Sequence, residues 1–343
     1  MNFYTSTSKL SAKKWVRYAF FLPISYITIV FSFNYIIDPY ELTSFNLLKI
    51  KEKMTRNDRI DKIVAIQKYD QVQTLIIGSS RTYNIDPDTL GKYFNTTSNY
   101  NFGIGGSQSE DHLGVLLYLE KIKKLPKNIL LAIDFNSFNP NIPVNEYFLK
   151  SKELNFLNKN PNKEDYLLKK YLTLDATRAS FKTLKHHVRN DKVKSSFKKN
   201  GLRNSSDIAY ENTSELKNDK ENVFQNFYKN GNYPHIDQVR VFYVKKFIKL
   251  CEKHNINLIM YASSSYIENY KDIVVHPILS QRLTEFLDTF SEYENFYNQF
   301  TDDDFSKNNL NFTDRVHITT NAGDRLLKSI FSKISNKRKN NEI

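Results

Sequence analysis

One cysteine stands in the whole chain, Cys251, so no intramolecular disulfide can form. Its setting, VFYVKKFIKLCEKH, puts it on the apolar face of an expected helix, as a buried structural thiol rather than a nucleophile. Glycine and proline are sparse, 9 of each in 343 residues, which excludes collagen-like and low-complexity repeats. The 7 histidines show no metal-ligand spacing. His186 and His187 are adjacent, so on a helix they point to different sides and cannot share one ion there. No metal site and no cofactor are expected. The glycines at Gly103-Ile104-Gly105-Gly106 fit neither G-x-G-x-x-G nor G-x-x-x-x-G-K-[ST], which argues against a nucleotide loop.

What the chain does contain is enough to fold. Hydrophobic residues make up 40% and charged residues 25%, outside the range of disordered chains. The length suits one large domain with insertions, or two small ones. The net charge of +13 would attract anionic polymers or lipid head groups. The lysines, however, are spread along the chain with no nucleic-acid module beside them. A solvated surface is the reading taken here, with no nucleic acid as partner.

Residues 18–37, YAFFLPISYITIVFSFNYII, carry no charge over about the 20 residues needed to cross ~30 Å of hydrocarbon. Lys9, Lys13, Lys14 and Arg17 precede the run. Trp15 and Tyr18 flank one end, Tyr35 and Tyr40 the other, as an aromatic belt would. A core helix would show a polar stripe, and a cleaved signal would be followed by small residues. The chain instead continues IIDPYEL. A retained single-pass anchor in the cytoplasmic membrane is expected, residues 1–17 forming a basic cytoplasmic end. Lys49, Lys51, Lys53, Arg56 and Arg59 downstream weaken the charge asymmetry but belong to a large translocated domain, placed on the periplasmic or extracellular side.

Residues 38–70 read as a polar juxtamembrane stretch with helical potential. Residues 71–335 then alternate strand and helix. The strands are QTLIIGSS, SNYNFGIGG, NILLAIDF, INLIMYAS and the short ENFYNQF. The expected helices include HLGVLLYLEKIKKL, IDQVRVFYVKKFIKLCEKH, HPILSQRLTEFLDTFS and NAGDRLLKSIFSKIS. This pattern predicts an α/β domain: a mostly parallel five-stranded sheet between two helical layers. An Asn-, Lys- and Ser-rich stretch at about 141–234, with one helix around YLLKKYLTLDATRASFKTLKHHV, reads as an insertion covering or flanking the site. Residues 336–343 read as a frayed basic tail.

Polar motifs cluster where strands should end, which is where such sheets gather functional groups. Gly78-Ser79-Ser80-Arg81 follows the first strand, and a serine at such a turn can expose its hydroxyl at the sheet edge. A capping serine is the structural alternative. Asp314-Arg315-Val316-His317 precedes the last helix, at a spacing that lets the carboxylate orient the imidazole as a general base. The Gly103–Gly106 loop lets a backbone N–H approach a substrate oxygen.

The order and spacing of these blocks resemble the SGNH/GDSL hydrolase superfamily. The match includes its membrane-anchored branches that serve polysaccharide O-acetylation and teichoic-acid D-alanylation. That resemblance implies a flavodoxin-like fold and ester hydrolysis or acyl transfer. It makes Ser80 the nucleophile, with Asp314 and His317 completing the triad. The backbone N–H groups of Ser80 and Gly106 would form the oxyanion hole. Where the family pattern is Gly-Asp-Ser, this chain has Gly-Ser-Ser. Where the third block is Gly-x-Asn-Asp, this chain has Ala132-Ile133-Asp134-Phe135-Asn136, and Asn136 is the natural substitute ahead of Asn139 and Asp134. Arg81 is expected to bind an anionic substrate group or to be a surface or helix-start arginine. The expected function is an O-acetyl esterase or O-acyltransferase on a cell-envelope glycan, with an acyl donor or a membrane-bound acyltransferase as possible partners. A non-catalytic accessory of the same fold is the competing expectation, and a basic lipid- or nucleic-acid-binding protein a third.

Overall fold

A computed structural model describes residues 12–39, 47–48, 50, 58–151, 153–157, 171–189, 197–203, 223–301 and 303–341. Lys9, Tyr40, Lys49, Lys51, Lys53, Arg56, the first part of the helix expected around 166–188, and most of 190–222 lie outside these. The chain divides into two compact units, Met1–Asn57 with Lys159–Lys194, and Asp58–Asn158 with Ser195–Ile343.

The first unit is built on helix α1, Ala12–Ile37. Within it Lys14–Ile37, 24 residues, is long and apolar enough to cross a membrane. Pro23 lies inside the helix, which membrane spans tolerate better than soluble helices do. A second helix of this unit, Leu174–Arg189, packs against α1.

The second unit is the α/β domain. Its strands are β1 (Thr74–Gly78), β2 (Asn99–Gly103), β3 (Asn128–Ile133), β4 (Asn257–Ala262) and β5 (Phe296–Asn298). They lie in the order β2-β1-β3-β4-β5 with every pairing parallel, the flavodoxin-like arrangement. Parallel strands buried on both faces read as continuous apolar runs, and TLII and ILLAI do so. Successive side chains alternate between two cores. Leu75, Ile77, Ile129, Leu131 and Met260 join one cluster. Ile76, Leu130, Ala132, Ile259 and Tyr261 join the other.

The first cluster is roofed by α2 (Asp58–Gln67), α4 (Ser109–Lys121), α7 (Gln238–Lys253) and α9 (Pro277–Ser291). The second is roofed by α3 (Pro87–Phe94) and the last helix, α10 (Thr320–Asn341). Between these come α5 (Glu146–Lys150), the Leu174–Arg189 helix, here α6, and α8 (Ile267–Val275). Cys251 is buried in the first core, where burial pushes its thiol up to about 12. This suits the packing role expected of it.

Two expectations need revision. The tail expected to fray from residue 336 instead continues α10 to Asn341, since SNKRKNN contains neither glycine nor proline to stop a helix. Within the stretch called juxtamembrane, α2 buries Ile63 and Ile66 in the core of the α/β unit. Its Lys62 is fully buried and donates to the carbonyls of Asn101 (2.7 Å) and Gly201 (2.5 Å), pinning the 197–203 segment beside β2.

Burial lowers the Lys62 pKa from 10.5 to about 7, against the opposing pull of Asp58 and Asp61. Below pH about 7 the ammonium is protonated folded or unfolded and its burial cost is complete. Between about 7 and 10.5 only the unfolded chain holds the proton, so the Lys62 contribution to stability rises with pH. Denaturant titrations across that range should show this rise in the wild type and a flatter profile in Lys62→Met.

Candidate active site

The carboxyl ends of β1, β2 and β3 align, because Gly78 pairs with Gly103 and Ile77 with Leu131. The segments that leave these strands therefore open onto one edge. The chain passes from β1 outward to β2 and back across to β3, so the crevice lies at the point where strand order reverses. A cleft of about 590 Å³ occupies it, lined among others by Ser80, Arg81, Gly106, Asn136, Val144 and His317.

Ser80 opens a 3-10 turn directly after β1. Its Oγ lies 2.8 Å from His317 Nε2, across 237 residues of sequence. His317 Nδ1 lies 2.5 Å from Asp314 Oδ2. Because a carboxylate only accepts, Nδ1 carries the proton and Nε2 presents a lone pair to the serine hydroxyl. Asp314 Oδ1 accepts from the backbone N–H groups of Val316 (2.8 Å) and His317 (2.7 Å), so the carboxylate folds back on its own turn. That turn is the tip of a short hairpin. Phe312 and Ile318 bridge antiparallel, and Thr313 N–H donates to His317 O at 2.9 Å. Arg315 at the tip pairs with Asp272 at 2.9 Å, tying the hairpin to α8.

Burial pushes the Asp314 carboxyl upward. Hydrogen bonds and charge from His317, with the two backbone N–H groups, more than reverse this and hold it below its ordinary 3.8.

A second set of polar groups lines the floor of the cleft. Ser79 Oγ donates to Asp134 Oδ2 at 2.5 Å and accepts from Arg81 N–H at 3.3 Å. Arg81 Nε stands 3.8 Å from the same carboxylate oxygen. Arg81 Nη2 donates to Asn136 Oδ1 at 3.0 Å. A guanidinium has no acceptor atom, so this bond fixes which way the Asn136 amide faces, and its Nδ2 makes no hydrogen bond among the described residues. Burial disfavours the Arg81 charge, but Asp134 foremost, with Tyr228 and Asp314, more than offsets it and raises the pKa.

The two N–H groups expected to meet an oxyanion, those of Ser80 and Gly106, make no hydrogen bond among the described residues. Gly106 sits at φ 61°, a backbone conformation that other residues adopt only under strain. Asn101, two residues before Gly103, is buried and donates to Thr82 O (2.7 Å) and Ile85 O (2.8 Å), bracing the turn that carries Ser80.

Of the three candidates for the third block, Asn136 and Asp134 both line the cleft, but Asp134 is engaged by Ser79 and Arg81; Asn139 is bonded to Asn232 O at 2.9 Å. The expected Ser80, Asp314, His317, Gly106, Asn136 and Arg81 all come together, though Arg81 is only 5% exposed rather than a surface arginine. What the sequence reading missed is the shared role of Ser79 and Asp134. No local pattern signals contacts of that range. Val144 and Phe227, from the 141–234 stretch expected to cover or flank the site, line its walls. Among the described residues no cluster of side chains could hold a metal ion. No protein-family model and no curated protein matches the chain.

The depressed Asp314 pKa sets a pH-dependent share of stability. That share is complete above 3.8 and is lost as pH falls from there through the folded-state value. Acid unfolding monitored by circular dichroism should show Asp314→Asn less stable than wild type at neutral pH. The gap should close as the medium drops below that window.

Proposed function

We propose that this chain is a membrane-anchored serine esterase or O-acyltransferase of the SGNH type. It acts outside the cytoplasmic membrane on O-acyl groups, foremost acetyl, of a cell-envelope glycan. The single observation carrying the reading is the Ser80–His317–Asp314 relay at the mouth of a cleft. The flavodoxin-like strand order and the apolar run of α1 support it, and the basic residues that precede that run favour a cytoplasmic N-terminus.

In this mechanism His317 Nε2 takes the Ser80 proton as Oγ bonds to the ester carbonyl carbon. The carbonyl electron pair moves onto oxygen, where the N–H groups of Ser80 and Gly106 and the Asn136 amide receive it. Collapse breaks the bond to the alcohol, which leaves with the proton from His317. The acyl group remains on Ser80 until water, or a sugar hydroxyl, gives its proton to His317 and bonds to the acyl carbon; the bond to Ser80 Oγ then breaks and His317 returns the proton to that oxygen. Arg81 acts through Asn136, whose amide it orients, and through Asp134.

Hydrolysis of an acetyl ester by the purified protein tests this. Ser80→Ala should abolish it, and Asn136→Ala should lower kcat by about 10²–10³-fold. Arg81→Lys, which keeps the charge but not the forked geometry, should lower kcat more than it raises KM. Equal turnover by wild type and Ser80→Ala would sink the enzymatic reading and leave a non-catalytic accessory of an acylation system.

A further inference from the structure

Helix α6, Leu174–Arg189, presents three distinct faces. Ala176, Ala179, Ser180 and Thr183 are small and buried, the composition that lets two helices approach closely in a membrane. Leu174, Phe181 and Val188, spaced seven apart and so nearly in line along the axis, remain 71%, 61% and 76% exposed. Between these faces, on one side, run Arg178, Lys182, Lys185 and Arg189. Asp175, beside Arg178 at 3.7 Å, is the one acid of the helix.

The contacts of α6, and of Tyr171 just before it, fall on the last turns of α1 and on Asp38 just after it. Asn34 Nδ2 donates to Tyr171 O (2.6 Å) and Thr177 Oγ1 (3.0 Å). The Tyr171 hydroxyl donates to Asp38 at 2.5 Å, and the Phe181 ring rests 4.8 Å from that of Phe33. Residues 14–29 of α1 are exposed, and from Val30 onward the helix is partly or fully covered. Counted from Tyr18, where charge ends, ~30 Å of hydrocarbon at 1.5 Å per residue reaches about Ile37. The covered turns therefore take up the outer part of the span and end where the core gives way to head groups. Two buried polar side chains, Asn34 and Asp38, mark the same level.

We infer that α6 is an interfacial helix. It lays the Leu174–Phe181–Val188 stripe into the boundary of the bilayer that α1 crosses, and its basic edge binds anionic phospholipid head groups. Charge and continuity choose this occupant. The stripe joins the lipid-facing surface of α1 through Phe33, and the basic row beside it is the pattern of helices lying in the membrane plane. A cationic edge on an apolar stripe gains twice at such a surface, from acyl burial and from attraction to anionic head groups. The inference rests on α1 being a membrane anchor.

The test uses the full chain in vesicles of phosphatidylcholine and phosphatidylglycerol, with lipids brominated along the acyl chain as quenchers. Trp15 is the only tryptophan, so its quenching in the wild type reports insertion of α1. A Trp15→Phe, Phe181→Trp variant reports α6. The expected result is at least about twofold quenching of the indole at position 181, strongest for bromines near the head groups. It should weaken when Arg178, Lys182, Lys185 and Arg189 are all changed to Gln. Quenched Trp15 with an unquenched indole at 181 would overturn the inference while leaving the anchor. A blue-shifted but unquenched indole would assign the stripe to a protein partner and overturn it as well. Trp15 itself unquenched would remove the anchor and the inference together.

Discussion

The hydrogen bond between Ser80 and His317 spans 237 residues, and much of the α/β unit serves to close that distance. Ser80 is placed by β1, an inner strand of a sheet that cannot slip register without exposing two cores. His317 is placed by a hairpin whose own backbone and carboxylate define its shape. The two are brought together by a third set of contacts. Asn84, four residues after the serine, donates to Ile318 O at 2.7 Å, one residue beyond the histidine. α10 then packs so closely that a Cβ on Gly323 would meet Asn84 O at 2.4 Å. Glycine at that position is what lets the helix after the imidazole close onto the loop after the hydroxyl. Closing so long a loop is costly in chain entropy, and these short contacts are what it depends on.

Below the relay, Ser79, Asp134, Arg81 and Asn136 form one connected polar group. A lone arginine buried to this depth would be strongly unfavourable, and so would a lone aspartate. Paired, they hold the residue before the nucleophile and orient the amide two residues after Asp134. On the proposed SGNH-type reading Ser79 stands where that pattern has an aspartate, and Asp134, just past the end of β3, presents a carboxylate to which Ser79 donates.

Strands were the most legible part of the sequence, because parallel strands buried on both faces become unbroken apolar runs. The three blocks were legible for a related reason: each follows a strand end or precedes a helix, where side chains must face the same crevice. Less was visible elsewhere. Helix α3 was not among the expected elements although Asp86-Pro87 is a sound helix start, its carboxylate capping Asp88 N–H at 3.1 Å. Helix α8 was hidden by Tyr266, which caps nothing with its side chain. The burial of Arg81 and Lys62 could not be read at all. Both are surface residues by type, and only long-range partners make their burial tolerable. The stretch at 141–234 divides between the two units, a division that composition does not mark.

The central claim is that the Ser80 hydroxyl is activated by His317. Reaction with a fluorophosphonate, followed by mass spectrometry of the peptides, tests it most directly. A single adduct on Ser80, formed by the wild type and absent from His317→Ala, is the predicted result. An adduct on Ser79 or Ser107, or labelling of Ser80 that survives loss of the imidazole, would contradict it.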